Sequence, residues 1–166
     1  MKYISLIRHA EAQTTLGIGD RDRDLSVYGA QMAPRLGRRL EQQNFMPDLV
    51  YTSPANRAAK TARIMCYELG FPVESIQTKE AIYRASLDDL VQLIQNADEE
   101  ASHLLLVGHN PSLSELAEHL CPQPEVPSHM ATCSLVQIAL DIEFWALAEP
   151  KSGYFQKYDT PENIKT

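Results

Sequence analysis

Two arginines and two histidines stand where this 166-residue chain leaves its apolar segments. Lys2 to Ile7 (KYISLI) is a short apolar run that reads as a buried strand, and it ends on Arg8, His9, Ala10 and Glu11. A second run, Leu104 to Val107 (LLLV), ends in the same way on Gly108, His109 and Asn110. Between them, Tyr51 to Arg57 (YTSPANR) reads as a strand end turning into a helix that carries Arg57 near its first turn. Open α/β sheets hold their ligands at the carboxyl ends of the strands. Arg8, His9, Arg57 and His109 are therefore expected to meet in one cationic pocket. Guanidinium forks match pairs of phosphate oxygens, so a phosphoryl group is the ligand this pocket suits.

Four fragments in order, LIRHAEA at 6–12, DLSVYG at 24–29, YTSPANRAAKTA at 51–62 and LLVGHNPSL at 105–113, resemble the histidine phosphatase superfamily, and within it the small SixA-type phosphohistidine phosphatases. Ala10 stands where many members of that superfamily have glycine after the histidine, and alanine is common there in the SixA-like branch. The resemblance covers about the first 120 residues well and the rest weakly. It implies a phosphoglycerate mutase-like fold and a phosphatase acting through a phosphohistidine intermediate, without metal or other cofactor.

On that resemblance His9 is the nucleophile, attacking phosphorus and passing the group on to water, which divides one hard step into two easier ones. One of its ring nitrogens must then be free of a proton while the other is held, most simply by a backbone carbonyl of the following loop. Arg8 and Arg57 clamp the phosphate, where lysine would be a poorer substitute. His109 matches the second histidine of the family and donates to the phosphoryl oxygens. Asn110 follows it in the motif and is read as a substrate-side residue that orders the loop. For the general acid the resemblance points to the region of Glu80, with Asp88 and Glu11 as other candidates, and the favoured reading has no dedicated acid. A phosphorylated imidazole can take its proton from solvent before it leaves, which points to phosphohistidine as substrate. The short stretch between the Arg57 helix and the His109 strand leaves little for a lid, so the pocket is expected to be open enough for a protein surface. The expected partner is a phosphorylated protein, such as the phosphotransfer domain of a signalling relay. A broad small-molecule phosphomonoesterase acting on phosphate esters is the alternative, and a non-catalytic phosphoprotein-binding module the alternative of another class.

Composition agrees with a globular protein. The chain is 18.6 kDa with 44% hydrophobic residues, and its formal charge of −7 argues against a nucleic-acid partner, which would need clustered cations. Arg21, Arg23, Arg38 and Arg39 are interleaved with Asp20, Asp22, Asp24 and Glu41, which reads as a salt-laced surface, with a substrate rim as the alternative. No apolar run is long enough to span a membrane, and the few apolar residues before Arg8 are too short for a secretory leader, so the expected location is the cytoplasm. Cys66, Cys121 and Cys133 lack metal or redox spacing and read as reduced core thiols.

The elements that position these residues alternate between strand and helix, giving an α/β class and a three-layer α/β/α sandwich on a mostly parallel sheet, in one domain spanning 1–166. Ser26 is expected to cap the first helix, with a kink or later start at Pro34. Asp48–Thr52 reads as the second strand, and the next helix opens at Pro54 and stops at Gly70. The segment 74–79 is a short strand or an extended loop. Ser86 is expected to cap a helix over 87–96, the strand 103–107 follows, and then a helix over 112–120. The prolines of 121–130 mark a loop. Two strands, 132–140 and 143–148, are expected to form an antiparallel hairpin around Asp141 and Ile142, leaving about 150–166 as a surface tail.

Overall fold

A computed structural model describes residues 1–163 of the chain. Six strands form one sheet: β1 (Lys2–Arg8), β2 (Leu49–Thr52), β3 (Gln77–Thr78), β4 (His103–Gly108), β5 (Leu135–Leu140) and β6 (Gly153–Asp159). Their order is β3-β2-β4-β1-β5-β6. The first four in that order run parallel, and β5 is antiparallel to both β1 and β6. The four helices are α1 (Val27–Gln42), α2 (Asn56–Leu69), α3 (Leu87–Gln95) and α4 (Ser112–Leu120).

Alternation along the strands sends side chains to two cores. Ile4, Leu6, Leu104 and Leu106 face Leu90 and Ile94 of α3 and Leu113 and Leu116 of α4. Ile7, Leu105 and Val107 face Leu36 of α1 and Ala58, Ala62 and Met65 of α2. Because β1 and β4 are covered on both faces, they read as unbroken apolar runs, as parallel strands do.

The local signals act as expected at most helix ends. Ser26 Oγ accepts the Gly29 N–H at 3.0 Å, and Ser86 with Asp89 forms a reciprocal capping box on α3. Gly70 closes α2 at φ 74°, a left-handed conformation in which glycine is unstrained. Pro34 neither delays nor ends α1, which runs through it from Val27 to Gln42. The uncertain segment resolves into a one-turn 3-10 helix at Val73–Ser75 and the two-residue β3.

Two expectations near the carboxyl end are corrected. Residues 143–148 are not a strand: Trp145–Leu147 forms a 3-10 turn whose Trp145 is fully buried and donates from Nε1 to the Ala101 carbonyl at 2.9 Å. A short apolar run fits a core plug as well as a strand, and here the indole filled the end of the first core. The strand that pairs with β5 is β6, inside the segment expected to be a tail. Gln156 and Lys157 disguised it, since an edge strand carries polar side chains on its open face. The last part of that expected tail, 164–166, lies outside the described residues.

Candidate active site

Register places the two histidines. Arg8 of β1 is paired with Gly108 of β4, so His9 and His109 are each the first residue beyond neighbouring parallel strands. The His9 N–H donates to the Gly108 carbonyl at 3.1 Å, and the two rings lie with centroids 5.2 Å apart. Arg57 enters from the first turn of α2, which starts after the Ser53 N–H has bonded the Val107 carbonyl at 3.1 Å. Arg8, His9, Arg57, His109 and Asn110 line one cavity of about 370 Å³, together with Glu11, Asp20, Arg23, Tyr83 and Arg84.

The His9 ring is fixed at one nitrogen. Nδ1 lies 2.7 Å from the Ala10 carbonyl, and a carbonyl only accepts, so Nδ1 carries the proton. Nε2 of the neutral ring is left with its lone pair. Burial pushes the His9 pKa down to about 4 against the pull of that carbonyl, and the charges of Arg57 and Arg8 lower it further. Besides the bond to Gly108, the loop that carries it is tied from two sides. The Ala10 N–H donates to Thr61 Oγ1 at 3.0 Å, and Thr61 in turn bonds the Arg57 carbonyl at 2.7 Å. The Cys133 N–H is shared between the carbonyls of Arg8 and His9, at 3.0 and 3.1 Å, from a backbone with φ 56°. A left-handed conformation at a β-carbon-bearing residue costs energy, and it is spent here against the strand end that holds His9.

His109 Nε2 lies 2.7 Å from Ser53 Oγ, which also accepts the Ala55 N–H at 3.2 Å. His109 Nε2 is the one acceptor within reach of the buried Ser53 hydroxyl proton among the described residues, so the hydroxyl donates to Nε2 and Nδ1 is the protonated nitrogen. Nδ1 is buried and has no hydrogen-bond partner among the described residues. Burial pushes the His109 pKa down to about 3, and His9 and Arg57 add to the effect. Both imidazoles are therefore neutral near pH 7.

The arginines are held by backbone oxygens. Arg8 Nη1 donates to the Met130 carbonyl at 2.9 Å, while its buried Nε has no partner among the described residues. Arg57 donates from Nη1 to the Asp20 carbonyl at 2.7 Å and from Nη2 to Asp20 Oδ2 at 3.1 Å. Asp20 also accepts from Tyr83 Oη at 2.7 Å and from Arg23 Nη1 at 3.1 Å, and these bonds, Tyr83 foremost, hold its carboxyl well below the usual carboxylate range. Asn110 ties two loops: its amide donates to the Met130 carbonyl at 2.9 Å and its oxygen accepts from Ser114 Oγ at 2.7 Å.

Of the acid candidates, Glu80 is not brought into the cavity. Its carboxylate is taken by a fork from Arg21, at 2.6 and 3.1 Å, on the exposed surface. Asp88 is exposed at the start of α3 and also lies outside the cavity, whereas Glu11 lines it and accepts from Ser26 Oγ at 3.0 Å. The charged loop divides: Arg21 belongs to the salt-laced surface, and Arg23 and Asp20 belong to the cavity. Sequence reasoning missed Asp20, Tyr83 and Ser53 as site residues. Ser53 had a usable signal, a hydroxyl at a strand end directly before the helix of Arg57; the other two are brought in by loops whose course no local pattern gives. No cluster of three or more potential metal ligands occurs among the described residues.

Residues 4–82 match the profile of the Histidine phosphatase superfamily (branch 1). The 2,3-bisphosphoglycerate-dependent phosphoglycerate mutase of Methylobacterium sp. (strain 4-46) is 33% identical over 92 residues, which are 54% of this chain and 44% of the mutase. The uncharacterized protein Rv1276c of Mycobacterium tuberculosis (strain ATCC 25618 / H37Rv) is 31% identical over 111 residues, 67% of each chain. The matches thus span less than half of the mutase and about two thirds of the mycobacterial protein. The structure of the protein histidine phosphatase SixA complexed with tungstate shares the fold over 98% of this chain and 99% of that one, with a TM-score of 0.84 at 22% identity. Four motifs in order, the profile match and the similarity to the mycobacterial protein over two thirds of its length leave one conclusion: the chain belongs to the histidine phosphatase superfamily.

Proposed function

We propose that this protein is a metal-independent phosphatase that works through a phosphohistidine on His9 and removes phosphate from phosphohistidine in a partner protein, such as the phosphotransfer domain of a signalling relay. The observation that carries this reading is the pinned His9 ring, with Nδ1–H on the Ala10 carbonyl and the Nε2 lone pair left over in a cavity that Arg8 and Arg57 also line. Its depressed pKa keeps it a neutral nucleophile over the whole physiological range. Arg8 and Arg57 supply the charge that the equatorial oxygens of the transition state need, and His109 Nδ1–H adds a donor. Asn110 holds the Met130 loop against Arg8.

The surroundings of the cavity support this substrate class. Glu80, the candidate acid, is engaged by Arg21, and an alkoxide would leave without a proton from that side chain. Imidazole is a leaving group that does not depend on one. The fold of SixA, described as a protein histidine phosphatase, supports the same reading. The sequence similarity to a phosphoglycerate mutase favours a second reading, a phosphatase of small phosphate esters, for which a cavity of about 370 Å³ is large enough.

One experiment separates them. Steady-state rates on a histidine-phosphorylated protein, on an aryl phosphate and on a sugar phosphate are compared in excess chelator, alongside His9→Ala. The expected result is turnover of the phosphohistidine protein well above either ester, unaffected by chelator and abolished in His9→Ala. Faster turnover of the sugar phosphate selects the second reading, and phosphoprotein binding without turnover of any substrate selects a binding module.

A further inference from the structure

Of Glu11 and Asp20, the carboxylates that line the cavity among the described residues, Asp20 is held by three separate residues, and nothing in the phosphoryl chemistry above uses it. A negative charge beside a phosphate clamp opposes binding of a phosphate dianion, so its presence there calls for an explanation. Its backbone carbonyl already braces Arg57 at 2.7 Å. The side chain is therefore not needed merely to hold that arginine. Oδ2 is shared between Tyr83 and Arg57 and Oδ1 is used once, by Arg23. A carboxylate offers about four lone-pair directions, and the Asp20 side chain is 42% exposed and lines the cavity, so at least one acceptor direction remains unengaged there. The Tyr83 ring beside it lies 5.8 Å from the His109 ring, giving a flat wall next to the acceptor.

We infer that Asp20 selects the leaving group: its carboxylate accepts the distal ring N–H of a phosphorylated imidazole seated against Tyr83, and so favours hydrolysis of a nitrogen–phosphorus bond over that of an oxygen ester. The inference rests on the proposed reading that the pocket hydrolyses phosphohistidine. The substrate ring, protonated at its distal nitrogen, carries a positive charge while it is bonded to phosphorus. In the attack the bond from phosphorus to the substrate nitrogen breaks as the bond from phosphorus to His9 Nε2 forms. The electron pair returns to the substrate ring, which departs as neutral imidazole with its distal N–H still in place, and the positive charge passes to the His9 ring. Asp20 stabilises the cationic ring before and during that transfer. An alkoxide leaving group develops the opposite charge at the same place and is disfavoured by the same carboxylate. One charge thus discriminates in both directions.

The test compares the intact chain with Asp20→Asn, using free phosphohistidine and an aryl phosphate as the two probes. Asparagine keeps an oxygen for Tyr83 and leaves the main-chain bond to Arg57 untouched. The ratio of kcat/KM for phosphohistidine to that for aryl phosphate is expected to fall by about tenfold or more, the range over which a nearby opposite charge shifts a protonation equilibrium. Most of the loss is expected on the phosphohistidine side. Should thermal unfolding show Asp20→Asn to be misfolded, Asp20→Ser removes the same charge and is read in the same way. An equal fall for both probes makes Asp20 only a brace for Arg57 and overturns the inference while leaving the proposed function standing. Absence of phosphohistidine turnover in the unsubstituted chain, with aryl phosphate still cleaved, overturns the proposed substrate and the inference with it.

Discussion

The His9 N–H and the Gly108 carbonyl meet at 3.1 Å, and this bond continues the ladder of β1 and β4 one step past the strands. It forces the residue after Arg8 and the residue after Gly108 to stand side by side, which is why two imidazoles distant in sequence share one cavity. Burial lowers the proton affinity of both rings, and the charge of Arg57 beside them lowers it further.

The first prediction follows from that burial. In the free protein the ring of His9 should titrate near pH 4 and that of His109 near pH 3, both below the ordinary histidine value of 6.5. Because the folded values are the lower ones, the unfolded chain takes up these protons first as pH falls. The stability tied to the neutral rings is fully present above about pH 6.5 and is lost progressively toward pH 4. Ring proton chemical shifts followed by NMR give the midpoints, and urea unfolding between pH 7.5 and 4.5 gives the stability slope. Midpoints between 6 and 7 for both rings would remove the neutral nucleophile from the mechanism.

The clamp is tested by charge-conserving substitution. Arg57→Lys and Arg8→Lys should each lower kcat/KM by about 10² or more, by analogy with the loss of one preorganised donor at a developing oxyanion. An ammonium keeps the charge and loses the fork, and Arg57 already commits Nη1 and Nη2 to Asp20 in an arrangement that lysine cannot copy. Near-full turnover by both variants would mean that charge alone suffices.

Ser53 gives a separate test of the second ring. Ser53→Ala removes the hydroxyl 2.7 Å from His109 Nε2 and frees the ring to place its proton on that nitrogen instead. The expected result is a fall in kcat of about tenfold with little change in KM, partly restored by Ser53→Thr; this is smaller than a first-rank donor loss because the ring itself remains. Unchanged kcat would show that the tautomer of His109 is set elsewhere.

What the sequence made legible and what it hid divide along physical lines. His9, His109 and Arg57 were readable because each lies within a few residues of a strand end, and the parallel ladder then fixes their meeting. The caps at Ser26 and Ser86 and the stop at Gly70 were readable because the interactions that make them span only a few residues. Trp145 misled, since its burial depends on the distant Ala101 carbonyl rather than on the alternation of its neighbours. Asp20 and Tyr83 were hidden for the same reason: 63 positions separate them, and their bond exists only once two loops have been laid over the sheet. Glu80 looked available because its partner Arg21 is 59 positions away.

Gly29 supplies a prediction about packing. A β-carbon at this position would lie 2.1 Å from the Glu11 carbonyl oxygen, backbone that cannot turn aside. The same carbonyl accepts the Ser26 N–H at 2.9 Å, so the start of α1 is seated directly on the loop that follows His9. Gly29→Ala should destabilise the fold by about 1–3 kcal/mol, the usual cost of overpacking, and shift the Ala10 carbonyl that pins His9. The expected readout is a lower urea midpoint together with a reduced kcat. Full stability and full activity in Gly29→Ala would show that the loop can move without disturbing the site.

The last prediction concerns the covalent intermediate. If His9 Nε2 attacks phosphorus, rapid quenching into alkali during turnover should trap one phosphoryl group on that ring, and the label should be lost in acid because a protonated phosphoramidate cleaves readily. His109 should stay unlabelled, since its Nε2 is held by Ser53 and its Nδ1 carries the ring proton and so has no free lone pair. In His9→Ala the arginines and His109 remain, so inorganic phosphate or vanadate should still bind while label and turnover vanish. In His109→Ala the label should still form on His9, more slowly by about 10² or more, because the attack survives and only the stabilisation of the oxygens is lost. Mass spectrometry of the quenched peptides assigns the site. Label on His109, or turnover by His9→Ala close to that of the unsubstituted chain, would reverse the roles of the two rings and leave water as the attacking group.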